Sequence, residues 1–103
     1  MDFDQMANAL KVEWTKRSLS NAKKIQAYLL GKFTKKEVQN FENLLEDFER
    51  TVSIFPQLYP QSEKYPKLRR AVLHKFTSVF YSIHENKIVV VAMQDNRQDK
   101  LGN

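Results

Sequence analysis

The chain has 103 residues, the length of one domain, with 42% hydrophobic residues, 28% charged residues and a net charge of +5. This composition excludes wholesale disorder, and the absence of cysteine excludes disulfides and thiolate metal sites. Two histidines ten positions apart make a metal site unexpected, and the longest apolar run, Ile88–Met93, is too short to cross a membrane. The N-terminus is acidic and has no signal features, so the sequence predicts a cytoplasmic protein without metal or cofactor.

The positive charge is unevenly distributed. Between Lys11 and Lys36 lie eight basic residues and one acid, and between Lys64 and Lys75 lie five basic residues and no acid. The acids gather instead within residues 37–49. Such a field attracts a polyanion, whether nucleic acid or an acidic protein. The alternative is a charged surface that only keeps a small domain solvated.

Residues 1–9 are predicted to be a loose lead-in, and residues 10–103 to form a single domain. The first predicted elements of that domain are a strand and a helix. Residues 10–14 alternate between apolar and charged, which predicts a short strand with one buried face. Thr15 or Ser18 can cap the helix that follows, whose apolar residues recur at helical spacing. Gly31 favours an end there, because glycine accepts the left-handed conformation after a last turn.

The second predicted helix has clear limits. Thr34 and Glu37 form a capping-box pattern, in which a hydroxyl and a carboxylate satisfy free backbone amides. Apolar residues then step by three and four positions as far as Val52. Pro56 disfavours helical conformation at the residue before it, so we expect the helix to end by Phe55. Three prolines mark the stretch to Tyr65 as a structured loop.

Three strands are predicted in the second half of the chain, at residues 68–73, 77–84 and 87–94. Glu85 and Asn86 form a two-residue hairpin turn, since asparagine tolerates positive φ. The last strand is apolar on both faces, as expected for a central strand. The predicted fold is therefore α+β, with the order β-α-α-β-β-β and two helices packed on a mostly antiparallel sheet.

This order, at this length, resembles the RelE/ParE family of bacterial toxins from type II toxin–antitoxin systems. Local motifs over residues 11–100 resemble the family as well: Val12–Thr15, Ile54–Pro56, Leu68–Arg70, Val79–Ile83 and Asp95–Lys100. The resemblance implies a protein that arrests growth and is neutralised by a cognate antitoxin laid across it. ParE-type members inhibit DNA gyrase, whereas RelE-type members cut mRNA on the ribosome.

The choice between these targets depends on the chemistry available. Metal-independent RNA cleavage needs a base for the 2′-hydroxyl, cations for the phosphate and an acid for the leaving oxygen. RelE-like nucleases gather Lys and Arg on their strands and place a Tyr or His near the C-terminus. Here Ser78 stands where a RelE-type enzyme has arginine, and neither Tyr nor His follows Arg97. These departures favour a ParE-like gyrase inhibitor over an endoribonuclease, with a non-toxic nucleic-acid-binding module as a third reading.

Basic residues supply the candidate sites. Histidine titrates near neutral pH, so His74 is a candidate base, and Arg97 occupies the position of a functional arginine in the family, unless it pairs with a neighbouring aspartate. His84, Tyr81 and Trp14 are expected to be structural. The candidate residues for target or phosphate binding are Arg69, Arg70, Lys75, Arg97 and Lys100. The candidate residues for antitoxin binding are Lys16, Lys23 and Lys24.

Overall fold

The computed structural model describes residues 9–97. The elements are β1 (Lys11–Trp14), α1 (Lys16–Lys32), α2 (Lys35–Ile54), β2 (Arg69–His74), β3 (Thr77–Ile83) and β4 (Lys87–Asp95). The predicted α+β class and element order are confirmed. The lead-in before Ala9 and the polar tail after Arg97, including Lys100, lie outside the described residues.

The four strands form one sheet in the order β1-β4-β3-β2. β4 pairs antiparallel with β3 and parallel with β1, and β2 pairs antiparallel with β3. The sheet is therefore mostly antiparallel, and β4 is central, as its apolar sequence predicts. A bulge between the Phe80–Ala92 and Tyr81–Val90 pairs leaves Val91 without an opposite residue.

Both helices cover the same face of the sheet. Along β3, Val79 and Tyr81 are fully buried against the helices, and Phe80 between them points to the opposite face. The core consists of buried apolar side chains from every element except β1, which only packs against it: Ala22, Ile25, Leu29, Phe41, Phe48, Val52, Ala71, Val79, Tyr81, Ile88, Val90 and Met93. Helical spacing of three and four residues in α1 and α2 builds this layer.

The two helix starts differ from each other. Thr15 caps α1, since its hydroxyl accepts a hydrogen bond from the Ser18 N–H at 3.1 Å. The capping box predicted for α2 is wrong, because the Thr34 side chain makes no capping hydrogen bond. The Glu37 N–H instead donates to the Thr34 carbonyl at 3.0 Å, and the Glu37 carboxylate lies 3.9 Å from the Arg97 guanidinium. A tertiary partner therefore draws the glutamate away from the helix start.

Two predictions about backbone conformation are also wrong. Gly31 lies inside α1, which continues to Lys32, and its φ is not positive. The Phe33 N–H ends the helix by donating to the Leu29 carbonyl at 2.8 Å. Glu85 and Asn86 do form the turn between β3 and β4, which the His84 N–H closes by donating to the Lys87 carbonyl at 2.8 Å, but Asn86 adopts no positive φ.

The proline-marked loop after α2 passes around the β2 edge of the sheet. On the helix side, the Tyr59 ring lies 6.0 Å from Phe48 and 6.4 Å from Tyr81. On the other face, the Tyr65 ring meets Phe80 edge-on at 5.8 Å. The loop thus contributes to both faces and forms one wall of a groove on the face away from the helices.

Candidate functional site

The face of the sheet away from the helices carries a groove, called here the open-face groove. It joins two clefts of about 370 Å³ and 520 Å³ that share Tyr65, Phe80 and Gln94. Further residues line it on both sides of these three: Arg17, Asn21, Lys24 and Met93 towards α1, and Arg70 and Val72 towards β2. The groove combines an apolar floor with a basic rim.

The groove exists because β1 is short. β1 ends at Trp14, opposite Val90, so the second half of β4 has no strand on that side. The start of α1 takes the place of the missing strand. The Thr15 hydroxyl donates to the Val91 carbonyl at 3.0 Å, and the Asn21 Oδ1 accepts from the Met93 N–H at 3.0 Å. Side chains of α1 thus satisfy the edge of β4 and hold the helix beside the groove.

Arg17 and Lys24 form the basic rim at the α1 end. Both side chains are exposed, and Asn21 lies between them on the same helix face. At the β2 end the arginine is Arg70, also exposed, whose Nε donates to the Ser78 hydroxyl at 3.1 Å. The serine noted in the sequence therefore orients an arginine on the open face.

Arg69 and Arg70 lie on opposite faces of β2, as strand alternation predicts. Arg69 is half-buried on the helix side and donates to the Tyr59 carbonyl at 2.6 Å. It therefore holds the proline-marked loop against the sheet, and only Arg70 reaches the open-face groove.

His74 and Lys75 lie at the turn between β2 and β3, away from the open-face groove. Both side chains are exposed. The His74 ring lies 5.5 Å from the Phe76 ring, and the Lys75 ammonium lies 4.9 Å from the centre of the same ring. The turn is thus a small exposed cluster of two basic side chains around one aromatic ring.

A separate cleft of about 390 Å³ brings the two candidate catalytic residues, His74 and Arg97, to one place beside α2. Its other ionisable lining residues are the acids Glu37 and Asp47. Carboxylates repel the phosphates of RNA, and they do so most strongly where water is partly excluded. The surroundings of His74 are therefore unfavourable for cleavage of a phosphodiester.

The Arg97 side chain is engaged within the fold, because it pairs with a neighbouring aspartate, the alternative that the sequence left open. Its Nη2 and Nε donate to the Asp95 carboxylate at 2.9 Å and 3.1 Å. The guanidinium also lies 4.8 Å from the Phe76 ring centre and 5.5 Å from that of Phe33. Arg97 thus ties the end of β4 to the turn between the helices and to the β2–β3 turn, an arrangement called here the Arg97 clasp.

Opposing forces act on the Asp95 carboxyl, whose side chain is fully buried. Burial alone would raise its pKa, but hydrogen bonds and charge from Arg97, with a further hydrogen bond from Thr77, lower the pKa below its usual value. The same hydrogen bonding to Asp95 raises the pKa of Arg97. The pair is therefore ionised, and its charge is satisfied internally.

The aromatic residues expected to be structural lie in or against the core. Tyr81 is fully buried, and its hydroxyl donates to the Pro56 carbonyl at 2.7 Å. Burial raises the pKa of Tyr81 to about 12. Trp14 is half-buried, and its Nε1 donates to Glu49 at 2.9 Å. Neither ring is free to stack on a base.

The three lysines expected to bind an antitoxin lie on two sides of α1. Lys24 lines the open-face groove, whereas Lys16 and Lys23 are exposed on another side of the helix. Sequence reasoning missed Arg17 and Asn21. Their spacing to Lys24, of seven and three residues, places all three on one helix face and was the available signal.

Neither α1 nor α2 is long and apolar enough to cross a membrane. Within residues 9–97, His, Asp and Glu side chains form no group of three that could hold a metal ion.

Comparison with protein families gives one match over most of the chain. The family model described as "ParE toxin of type II toxin-antitoxin system, parDE" matches residues 12–100. No curated protein matches the sequence.

Solved structures share the fold at low sequence identity. A chain from a chromosomal ParDE toxin–antitoxin system of P. aeruginosa has a TM-score of 0.71 at 11% identity, over 85% of this chain and 97% of that one. A chain of the E. coli DinJ–YafQ toxin–antitoxin complex has a TM-score of 0.57 at 14% identity, over 92% and 99%. A conserved hypothetical protein of Helicobacter pylori has a TM-score of 0.57 at 16% identity, over 85% and 96%.

Proposed function

The chain belongs to the ParE toxin family of type II toxin–antitoxin systems, and we propose that it arrests growth by inhibiting DNA gyrase rather than by cutting RNA. The observation that carries this preference is the composition of the open-face groove. Neither histidine is among its lining residues, and its carboxyl groups are Glu63 and Asp95, the second of which is bound by Arg97. A groove with cations but no histidine suits binding better than metal-independent cleavage.

The surroundings of His74 support the same preference. An imidazole acting as a base on RNA needs cations around the phosphate. Lys75 lies at the same turn, but the cleft of His74 holds the acids Glu37 and Asp47, and Arg97 there is paired with Asp95. The gyrase proposal gives His74 no chemical task. It also implies a cytoplasmic protein, since the proposed target is there.

The endoribonuclease alternative has one observation in its favour. Arg70, oriented by Ser78, and the exposed Tyr65 ring both border the open-face groove, where they could hold a phosphate and a base of mRNA. This alternative predicts cleavage of mRNA on the ribosome that depends on Arg70.

The partner in this proposal is a cognate antitoxin encoded by a neighbouring gene. Two of the structurally similar chains come from a ParDE system and from a DinJ–YafQ complex, respectively. Expression of this chain alone should stop bacterial growth, and co-expression of the neighbouring gene should restore it. Normal growth at high soluble yield without any partner would count against toxicity.

The two targets are distinguished with purified toxin in parallel assays of gyrase supercoiling and ribosome-bound mRNA. We expect inhibited supercoiling and intact mRNA from the wild type, and His74→Ala should be as potent because His74 lies away from the open-face groove. Arg70→Ala is the variant that tests the nuclease alternative. The toxin mixed with its antitoxin is the control, and it should leave supercoiling unaffected. If the wild-type toxin instead cuts the mRNA and leaves supercoiling normal, and either variant fails to cut, the nuclease replaces the gyrase proposal.

A further inference from the structure

The rim of the open-face groove at α1 carries two exposed cations above an apolar floor. We propose that Arg17 and Lys24 are the residues that select the antitoxin, by binding two carboxylates on an amphipathic helix seated in this groove. The inference rests on the proposed function for the existence of an antitoxin, and it adds where that partner lies and what chemistry recognises it.

The spacing of the two cations is set by α1. Seven residues separate Arg17 from Lys24, which is two helical turns or about 10 Å along the axis. Between them, Asn21 is fixed to the Met93 backbone by its hydrogen bond of 3.0 Å. The cations therefore project from a helix whose position beside the floor is fixed, so little order has to be gained on binding.

Arg17 and Lys24 are available to a partner, unlike several other cations. Arg97 is bound to Asp95, Lys87 pairs with Glu13, and the Arg70 Nε donates a hydrogen bond to the Ser78 hydroxyl. Arg17 and Lys24 form no ion pair within residues 9–97. Their charge thus remains to steer and orient an acidic partner.

The floor defines the rest of the partner. Leu68, Phe80, Val91 and Ala92 form the apolar floor, bordered by the half-exposed Tyr65 ring. A helix that matches both features carries an apolar stripe and, along one border of it, two acids seven residues apart. A helix is favoured over an extended segment. Residues seven apart in a helix lie on the same face, but in an extended segment the residues that are about 10 Å apart are three positions apart and point to opposite faces.

The chain itself offers a matched control. Lys16 and Lys23 are also seven residues apart on α1 and exposed, but each precedes a groove cation by one residue and so points about 100° around the helix from it. Reversing either pair changes the net charge by the same amount. A difference between the two variants therefore reports position and not overall charge.

The experiment measures the affinity of purified toxin for the protein encoded by the neighbouring gene. Reversal of the groove pair, R17E with K24E, should weaken binding about a hundredfold, whereas K16E with K23E should change it by less than about threefold. An antitoxin in which the two matching acids are replaced by lysine should bind the R17E/K24E toxin tightly again. Thermal melts establish that both double variants are folded.

The outcomes separate the two levels of the argument. Equal effects of the two double variants, or no effect of either on a tight wild-type complex, overturn the role of Arg17 and Lys24 and leave the toxin–antitoxin function standing. Loss of affinity that the charge-swapped antitoxin does not rescue also overturns it. A wild-type toxin that neither binds the neighbouring gene product nor is neutralised by it contradicts the proposed function itself.

Discussion

Arg97 and Asp95 form a bidentate ion pair in which the carboxylate is fully buried and the arginine side chain is 17% exposed. The Thr77 hydroxyl donates a further hydrogen bond to the same carboxylate at 3.2 Å. The pair lies where the end of β4 meets the two turns that carry Phe33 and Phe76. Its contribution is therefore to the folded state, and the charge of Arg97 is not free for a target.

Arg97→Ala should lower the free energy of unfolding by about 2–4 kcal/mol, because it leaves the Asp95 carboxylate buried without its cation. Asp95→Asn should destabilise the protein similarly, and Arg97→Lys should be intermediate, since lysine keeps the charge but loses the paired hydrogen bonds. Urea unfolding of the three variants measures this series.

Arg50→Ala is the control for this series, because its partner Asp47 is exposed and the pair should contribute less than about 1 kcal/mol. If Arg97→Ala unfolds at the wild-type urea concentration yet abolishes toxicity, Arg97 contacts the target and the Arg97 clasp is not its main role.

The stability of the protein should depend on pH through Asp95. A carboxyl whose pKa is lowered on folding stabilises the native state above the unfolded pKa of about 4, and that contribution is lost as pH falls through the folded pKa. The difference in unfolding free energy between the wild type and Asp95→Asn should therefore shrink as pH falls below about 4. A difference that stays constant from pH 7 to pH 2 would show that the ionisation of Asp95 contributes nothing.

Gly31→Ala should stabilise the protein by about 0.5–1 kcal/mol. Gly31 is helical without positive φ, and an added Cβ meets nothing within 4 Å, so alanine gains helix propensity at no steric cost. Thermal unfolding measures the shift. A lower melting temperature would mean that the helix end needs the conformational freedom of glycine, as the sequence alone suggested.

Tyr81→Phe should cost about 1–2 kcal/mol, because it leaves the Pro56 carbonyl without the hydroxyl that donates to it at 2.7 Å. The ring itself keeps its packing against Phe48 and Tyr59. Gyrase inhibition by this variant should be unchanged at a temperature where it is folded. Full stability with lost activity would assign Tyr81 to the site instead of the core.

The elements of this fold could be predicted because local patterns agree with the tertiary structure. Apolar residues at every second position predicted the strands, and apolar residues at every third or fourth position predicted the helices, with bounds within a few residues of those observed in residues 9–97. Pro56 predicted the end of α2, which lies at Ile54. Three predictions that depended on one residue's local preference were wrong, at Glu37, Gly31 and Asn86, and at Glu37 a distant residue intervenes. Glu37, drawn towards Arg97, illustrates this at the start of α2.

The site could be predicted only in part, because its residues come from separate parts of the chain. Helical spacing alone places Arg17, Asn21 and Lys24 on one face, but it does not show that the face borders an open strand edge. That follows from β1 ending at Trp14 while β4 continues to Asp95. The sequence by itself thus determined the elements and the resemblance, whereas the tertiary structure decided which cations are paired within residues 9–97 and which are not, since burial depends on residues far apart in sequence.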